Sequence, residues 1–105
     1  MRKKMIAQPR AEFDLIRHYL YLAERNPPQA NQFWTEVHAA MKRIGDHPRR
    51  GTSLAHPRFP DQELRFIRPT GFPKYLLIYQ VTDDCSFLLR ILHGSQNLDT
   101  ELRPE

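Results

Sequence analysis

The sequence has one cysteine, four glycines and no long apolar run, and each scarcity removes a class of protein. A single thiol, Cys85, excludes an internal disulfide and fits a reducing compartment. Cys85 falls in an expected hairpin turn with no histidine nearby, so it is not read as a nucleophile. The glycines Gly45, Gly51, Gly71 and Gly94 are isolated and form no phosphate-cradling loop. The histidines His18, His38, His47, His56 and His93 show no pairing at helical ligand spacing, and no Cys/His cluster accompanies them. No metal and no other cofactor is therefore expected. Ser/His/Asp and Cys/His nucleophilic sets have no local signature either. No window approaches the length of a membrane span. The opening Met1-Arg2-Lys3-Lys4 carries the charge of a signal peptide's first region, but Gln8-Pro9-Arg10-Ala11-Glu12 interrupts the apolar run that should follow. The expectation is a soluble, cytoplasmic protein with no membrane partner.

What is present suffices for one domain spanning residues 1–105. A chain of this size buries roughly two-thirds of its unfolded surface, and 40% hydrophobic with 10% aromatic residues can fill a single core. The formal net charge is +4, with a sequence pI of about 9.6. That balance favours acidic partners: nucleic acid, an acidic protein or an anionic surface.

Lys4 to Gln8 reads as a short strand, after which Pro9 suits the first position of a helix. From Arg10 to Arg25 the residues Phe13, Ile16, Leu20 and Ala23 recur at helical spacing, with Leu15, Tyr19 and Leu22 widening the stripe into one broad buried face. Asn26-Pro27-Pro28 ends that helix and pre-sets the next, Gln29 to Ile44. Its stripe is Ala30, Phe33, Trp34, Val37, Ala40, Met41 and Ile44, and Gly45 supplies the stop. So short a joint predicts an antiparallel αα-hairpin. With Trp34 in the core, its truncation to alanine is expected to cost on the order of 3–5 kcal/mol. Pro48 to Gln62 reads as a basic loop carrying Arg49, Arg50 and Arg58. Three strands follow: Glu63–Arg68 with Leu64 and Phe66 on one face, Tyr75–Val81, and Ser86–Leu92, the last two joined by a turn at Asp83-Asp84. The run Leu76-Leu77-Ile78-Tyr79 marks a central strand. The fold class is α+β: an N-terminal strand, an antiparallel αα-hairpin covering one sheet face, then a three-strand antiparallel meander.

Basic and polar groups gather at the ends of those strands. Arg65, Arg68, Arg90 and His93 come from adjacent strands, and their convergence would suit RNA cleavage, with arginines stabilising phosphate charge and His93 as acid or base. The competing reading is solvated arginines, with Arg90 paired to a carboxylate.

The order and spacing of several pieces resemble a known family. They are Pro9-Arg10-Ala11-Glu12-Phe13-Asp14-Leu15, Pro28-Gln29-Ala30, His47-Pro48 followed by Gly51, Leu64-Arg65, Lys74-Tyr75-Leu76-Leu77-Ile78-Tyr79 and Arg90-Ile91-Leu92-His93-Gly94. Together they resemble the RelE/ParE superfamily of toxins from type II toxin–antitoxin pairs, and in detail the ParE branch. The resemblance implies a growth-inhibiting toxin neutralised by a cognate ParD-like antitoxin. For the ParE branch it implies poisoning of DNA gyrase by binding, with Arg90, His93, Gln96 and Asn97 as target-binding residues and no catalytic residue. For the RelE branch it implies a ribosome-dependent mRNA endoribonuclease using Arg65, Arg68, Arg90 and His93. The tail from Ser95 to Glu105 contains no Tyr, His or Lys, a departure from the RelE pattern. Where the ParE pattern commonly has Ala-Arg-Asp after His-Gly, this chain has Ser95-Gln96-Asn97, two charges fewer. A non-toxic antitoxin-binding remnant is the third reading. A basic domain with a broad apolar helix stripe and an incompletely covered sheet also suits an extended acidic segment that orders on binding.

Overall fold

β1 (Lys4–Ala7) opens the fold, and α1 (Pro9–Arg25) follows after a single residue. The computed structural model describes residues 4–103, so Met1, Arg2 and Lys3 of the amino-terminal basic run lie outside the described residues. Asn26 alone separates α1 from α2 (Pro27–Asp46) and serves both. Its N–H donates to the Leu22 carbonyl at 2.7 Å, and its side chain accepts from the Gln29 N–H at 3.2 Å. Pro27 and Pro28 occupy the first turn of α2, where an N–H would have no intrahelical acceptor. Gly45, expected to stop this helix, is buried within it; the helix runs to Asp46 and ends against Pro48, which cannot extend the ladder.

The segment expected to be a loop from Pro48 to Gln62 holds two elements. Pro48–Arg50 forms a 3₁₀ turn and Thr52–Leu54 forms β2, pairing antiparallel with β3 (Glu63–Ile67) through Thr52↔Phe66 and Leu54↔Leu64. Three residues are too few for alternation to register in a sequence; the open edge of β3 organises them. β4 (Tyr75–Val81) and β5 (Cys85–His93) complete the hairpin, and α3 (Leu98–Glu101) is the last element among the described residues. The sheet order is β1-β5-β4-β3-β2, which places β4 at the centre, as its apolar run predicts. The expected three-strand antiparallel meander is therefore part of a five-stranded mixed sheet, because β1 lies parallel to β5 with Lys4↔Cys85 and Ala7↔Leu88 in register. Strand direction is set by the path of the helical hairpin and leaves no trace in hydropathy.

The hairpin covers one sheet face. Phe33, Val37, Ala40 and Ile44 of α2 meet Leu77, Tyr79, Leu88 and Ile91 there. α1 does not bury the stripe its periodicity suggested. Phe13, Ile16 and Leu20 are 62%, 50% and 55% exposed, whereas Ala11, Asp14, Leu15, His18 and Leu22 face inward. The cause is that two polar residues, Asp14 and His18, take inward positions to meet backbone groups of β5, which rotates the apolar residues beside them outward. Trp34 is likewise a surface residue, 39% exposed and edge-on to Tyr19 at 5.3 Å, and its neighbour Phe33 fills the core. The second sheet face is covered too: Phe59, Leu64, Ile78, Leu92 and Leu102 form a second cluster beneath the loop before β3 and the tail.

Gly51 locks the 3₁₀ turn to the sheet. A Cβ there would stand 2.1 Å from the Tyr79 hydroxyl oxygen, which itself donates to the Pro48 carbonyl. Two stability outcomes are expected in urea unfolding. Phe33→Ala should cost about 3–5 kcal/mol and Trp34→Ala clearly less; equal costs would contradict this placement of the core. Gly51→Ala should destabilise the chain, and adding Tyr79→Phe should recover part of the loss.

Candidate functional site: the seam between α1 and the end of the sheet

β1 stops at Ala7 and its last link is the Gln8 N–H donating to the Leu88 carbonyl at 2.9 Å. β5 continues to His93, so beyond Leu88 its outer edge meets α1 instead of a strand. Side chains of α1 take over the ladder. Asp14 Oδ2 accepts the Ile91 N–H at 3.0 Å, and one turn later His18 Nε2 lies 2.8 Å from the Ile91 carbonyl. A carbonyl only accepts, so His18 carries its proton on Nε2.

Asp14 is 2% exposed and needs a countercharge. Arg90 supplies it as a fork, with Nε to Oδ2 at 2.7 Å and Nη2 to Oδ1 at 3.0 Å. The same guanidinium donates to the Glu101 carbonyl at 2.6 Å and to its carboxylate at 3.3 Å. These bonds, from Asp14 foremost, raise the Arg90 pKa further above its already high ordinary value. Arg90 thus joins α1, β5 and α3, and is committed internally.

The other expected target-binding residues organise the turn into the tail. His93 Nδ1 accepts the Ser95 N–H at 3.0 Å and lies 2.8 Å from the Ser95 hydroxyl, so Nε2 is the nitrogen left for other contacts. Gln96 accepts the His93 N–H at 2.8 Å and reaches Glu101 at 3.3 Å. Asn97 caps α3 by accepting from the N–H groups of Asp99 and Thr100. The tail is also held by His56 on the Asp99 carboxylate at 3.0 Å.

The four residues weighed for RNA cleavage do not form one constellation. Arg65 lies opposite Tyr79 and His93 opposite Tyr75, both on the helix-covered face. Four residues separate those rows, about 13 Å along the strands. Arg90 lies opposite Ile78 on the other face, and Arg68 sits over the Phe66 ring on that face, 5.2 Å from its centroid. Arg65 is further engaged by Glu63 at 2.9 Å and by the Gly51 carbonyl at 2.8 Å. The bond from Arg65 first, and the one from Arg49 at 3.2 Å, lower the Glu63 pKa.

What the structure does assemble is a seam. One cleft of about 380 Å³ is lined by Pro9, Arg10, Phe13, Asp14, Arg17 and Arg90. A second, of about 280 Å³, is lined by Arg17, His18, Tyr21, Tyr75, His93, Ser95 and Gln96. Arg17 belongs to both, so Arg90, His93 and Gln96 share one surface, while Asn97 does not line it. The Tyr75 ring stands edge-on between His18 at 5.1 Å and His93 at 4.9 Å, and burial raises its pKa so that it remains a hydroxyl. Sequence reasoning missed Arg17, Tyr21 and Tyr75, because facing across the seam depends on the rotation of α1. The one available signal was an apolar helix interrupted by Asp14 and His18, four residues apart. Beside the seam runs the exposed stripe Phe13, Ile16 and Leu20. Among the described residues no group of three or more His, Cys, Asp or Glu could hold a metal ion, and no helix is long and apolar enough to cross a membrane.

Comparison with known proteins matches residues 6–98 to the family described as "ParE toxin of type II toxin-antitoxin system, parDE". A solved structure titled "Chromosomal ParDE TA system from P. aeruginosa" contains a similar chain. It is 15% identical with a TM-score of 0.71, covering 88% of this chain and 96% of that one, a likeness of fold. No curated protein matches this sequence.

Burial lowers the His18 pKa from its ordinary value of 6.5, outweighing the bond to Ile91 and the attraction of Asp14. The unfolded chain then binds this proton at a higher pH than the folded one, so the ring's contribution is complete above 6.5 and declines as pH falls below it. Urea midpoints should therefore drop as pH falls below 6.5. His18→Gln, which keeps a donor for the Ile91 carbonyl, should flatten that part of the profile; an unchanged slope would contradict the assignment. Asp14→Ala should cost about 3–5 kcal/mol by leaving Arg90 with Glu101 alone and the Ile91 N–H without its acceptor.

Proposed function

The chain belongs to the ParE toxin family of type II toxin–antitoxin systems, and from that premise we propose that it stops growth by binding DNA gyrase and is neutralised by a cognate acidic, ParD-like antitoxin. One observation favours binding over RNA cleavage. Arg65, Arg68, Arg90 and His93 are split between the two sheet faces, with Arg65 and Arg90 occupied by internal carboxylates. A nuclease needs such groups converging on one phosphate. The gyrase-facing surface in this reading is the seam with the His93 turn, where Arg17, Tyr21, His93 and Gln96 line one cleft.

The antitoxin reading rests on α1. Phe13, Ile16 and Leu20 are more than half exposed or close to it, at three- and four-residue spacing, with Arg10 and Arg17 along one side. An amphipathic acidic segment would bury the stripe and meet those cations, ordering as it binds.

An induced pulse in bacterial cells without antitoxin, following DNA-precursor against amino-acid incorporation, tests the target. Early loss of DNA synthesis with translation continuing is expected. Early loss of translation would overturn the gyrase reading in favour of the ribosome, and harmless expression would favour a remnant kept for antitoxin binding. For the partner, Ile16→Asp with Leu20→Asp should weaken antitoxin binding at least tenfold, about 1.4 kcal/mol, with the thermal midpoint near wild type. Unchanged affinity would move the docking site off α1.

A further inference from the structure

We propose that the cleft at the carboxyl end of α2 is a phosphoryl-binding site, suited to the phosphate of a nucleotide or of a nucleic-acid backbone. It is independent of the toxin reading and shares no lining residue with the seam. Arg43 from the last turn of α2, His47 from its cap and Arg50 from the 3₁₀ turn surround a space of about 290 Å³ walled by Ile44, Ile67 and Tyr79.

Charge points to an anion. Among the described residues no carboxylate lines the cleft. Two acids near it in sequence are engaged elsewhere, Asp46 with Lys42 at 3.1 Å and Glu63 with Arg49 at 3.2 Å and Arg65 at 2.9 Å. Arg50 has no side-chain hydrogen bond or ion pair among the described residues. Arg43 gives one N–H to the Arg68 carbonyl at 3.3 Å, leaving further donors on its guanidinium. The partial negative charge at this end of the helix favours cations and opposes an anion, so an anion here is held by side chains: two guanidinium groups and an imidazole line one space and match a dianion with several acceptor oxygens.

The site is also pre-set. Gly51 is buried against Tyr79, whose hydroxyl bonds to Pro48, so the turn presenting Arg50 is fixed to the sheet before any ligand arrives. Ile67, partly exposed, offers an apolar edge to a sugar or base. The volume lies near the lower end for ligand pockets, which fits one phosphoryl group with its attached sugar rather than a dinucleotide.

Arg50→Ala is the test, because Arg50 is exposed and unpaired and its loss should not disturb folding. Binding of ATP by calorimetry and of a fluorescein-labelled DNA duplex by anisotropy would be compared across wild type, Arg50→Ala and Arg25→Ala, each matched for thermal midpoint. Arg25 is an exposed cation on Glu24 and removes the same charge elsewhere. The expected result is a loss of about tenfold in Arg50→Ala only, with the salt slope for DNA shallower by about one. Loss for both probes establishes a phosphoryl site open to either source; loss for DNA alone assigns the phosphate to a backbone, and loss for ATP alone to a free nucleotide. Equal loss in both variants, or no saturable binding of either probe, overturns the site. Weaker binding of the acidic antitoxin by Arg50→Ala with neither probe affected also overturns it, and gives the cleft to a protein carboxylate.

Discussion

The buried backbone of Ile91 is the constraint on which the rest of this structure depends. β1 is only four residues long and ends opposite Leu88, while β5 continues for five residues more. Ile91 is 1% exposed, so its N–H and C=O cannot turn to water. Each unmade bond would cost about 1–3 kcal/mol. α1 meets both with side chains one turn apart, Asp14 for the donor and His18 for the acceptor. The helix is thereby fixed in rotation as well as position. A buried carboxylate then demands a cation, and Arg90 from the adjacent position of β5 provides it. Because a guanidinium has five N–H groups, Arg90 can also take the Glu101 carbonyl and carboxylate, and the tail docks where Leu102 completes the second cluster. One short strand therefore propagates through an anion and a cation to the chain's last helix.

This chain of dependence explains which parts were legible in the sequence. The two helices, their proline-bearing joint, the β3–β5 meander and the central place of β4 all rest on local signals, period and punctuation, and their boundaries lie within about two residues of expectation. The parallel seating of β1, the three-residue β2 and α3 rest on unpaired edges and on groups tens of residues away. No window of sequence contains both Asp14 and Ile91. The same is true of the site: Arg90 and His93 stand out as polar residues at the end of a strong strand, but their partners Asp14 and Tyr75 belong to other elements.

The misassigned stripe on α1 is the most instructive difference. Helix α1 is apolar on two faces, and Phe13-Ile16-Leu20 competes with Ala11-Leu15-Leu22 on equal terms of spacing. Hydropathy favours the larger side chains. Backbone satisfaction decides otherwise, since only one rotation brings Asp14 and His18 to the β5 edge. A helix that spends its best apolar residues on solvent is either poorly built or built to be covered. Trp34, exposed on α2 against Tyr19, adds to the same conclusion.

Arg90 shows why residue type at a strand end is weak evidence of chemistry. The sequence offers it both as one of four groups for phosphate and as the partner of a carboxylate, and in the fold its side chain is 12% exposed between two carboxylates. Replacing it would unseat the tail, strand Asp14 and loosen α1 at once. Loss of toxicity on such a change would therefore say little about target contact, since the seam itself would be deformed. Arg17 and Tyr21 offer the cleaner test of the same surface. They line the seam from α1, lie outside the buried network, and can be changed while the Asp14–Arg90–Glu101 linkage stays whole. A binding toxin should lose potency there without losing its fold. A chemistry that depended on His93 alone should not notice.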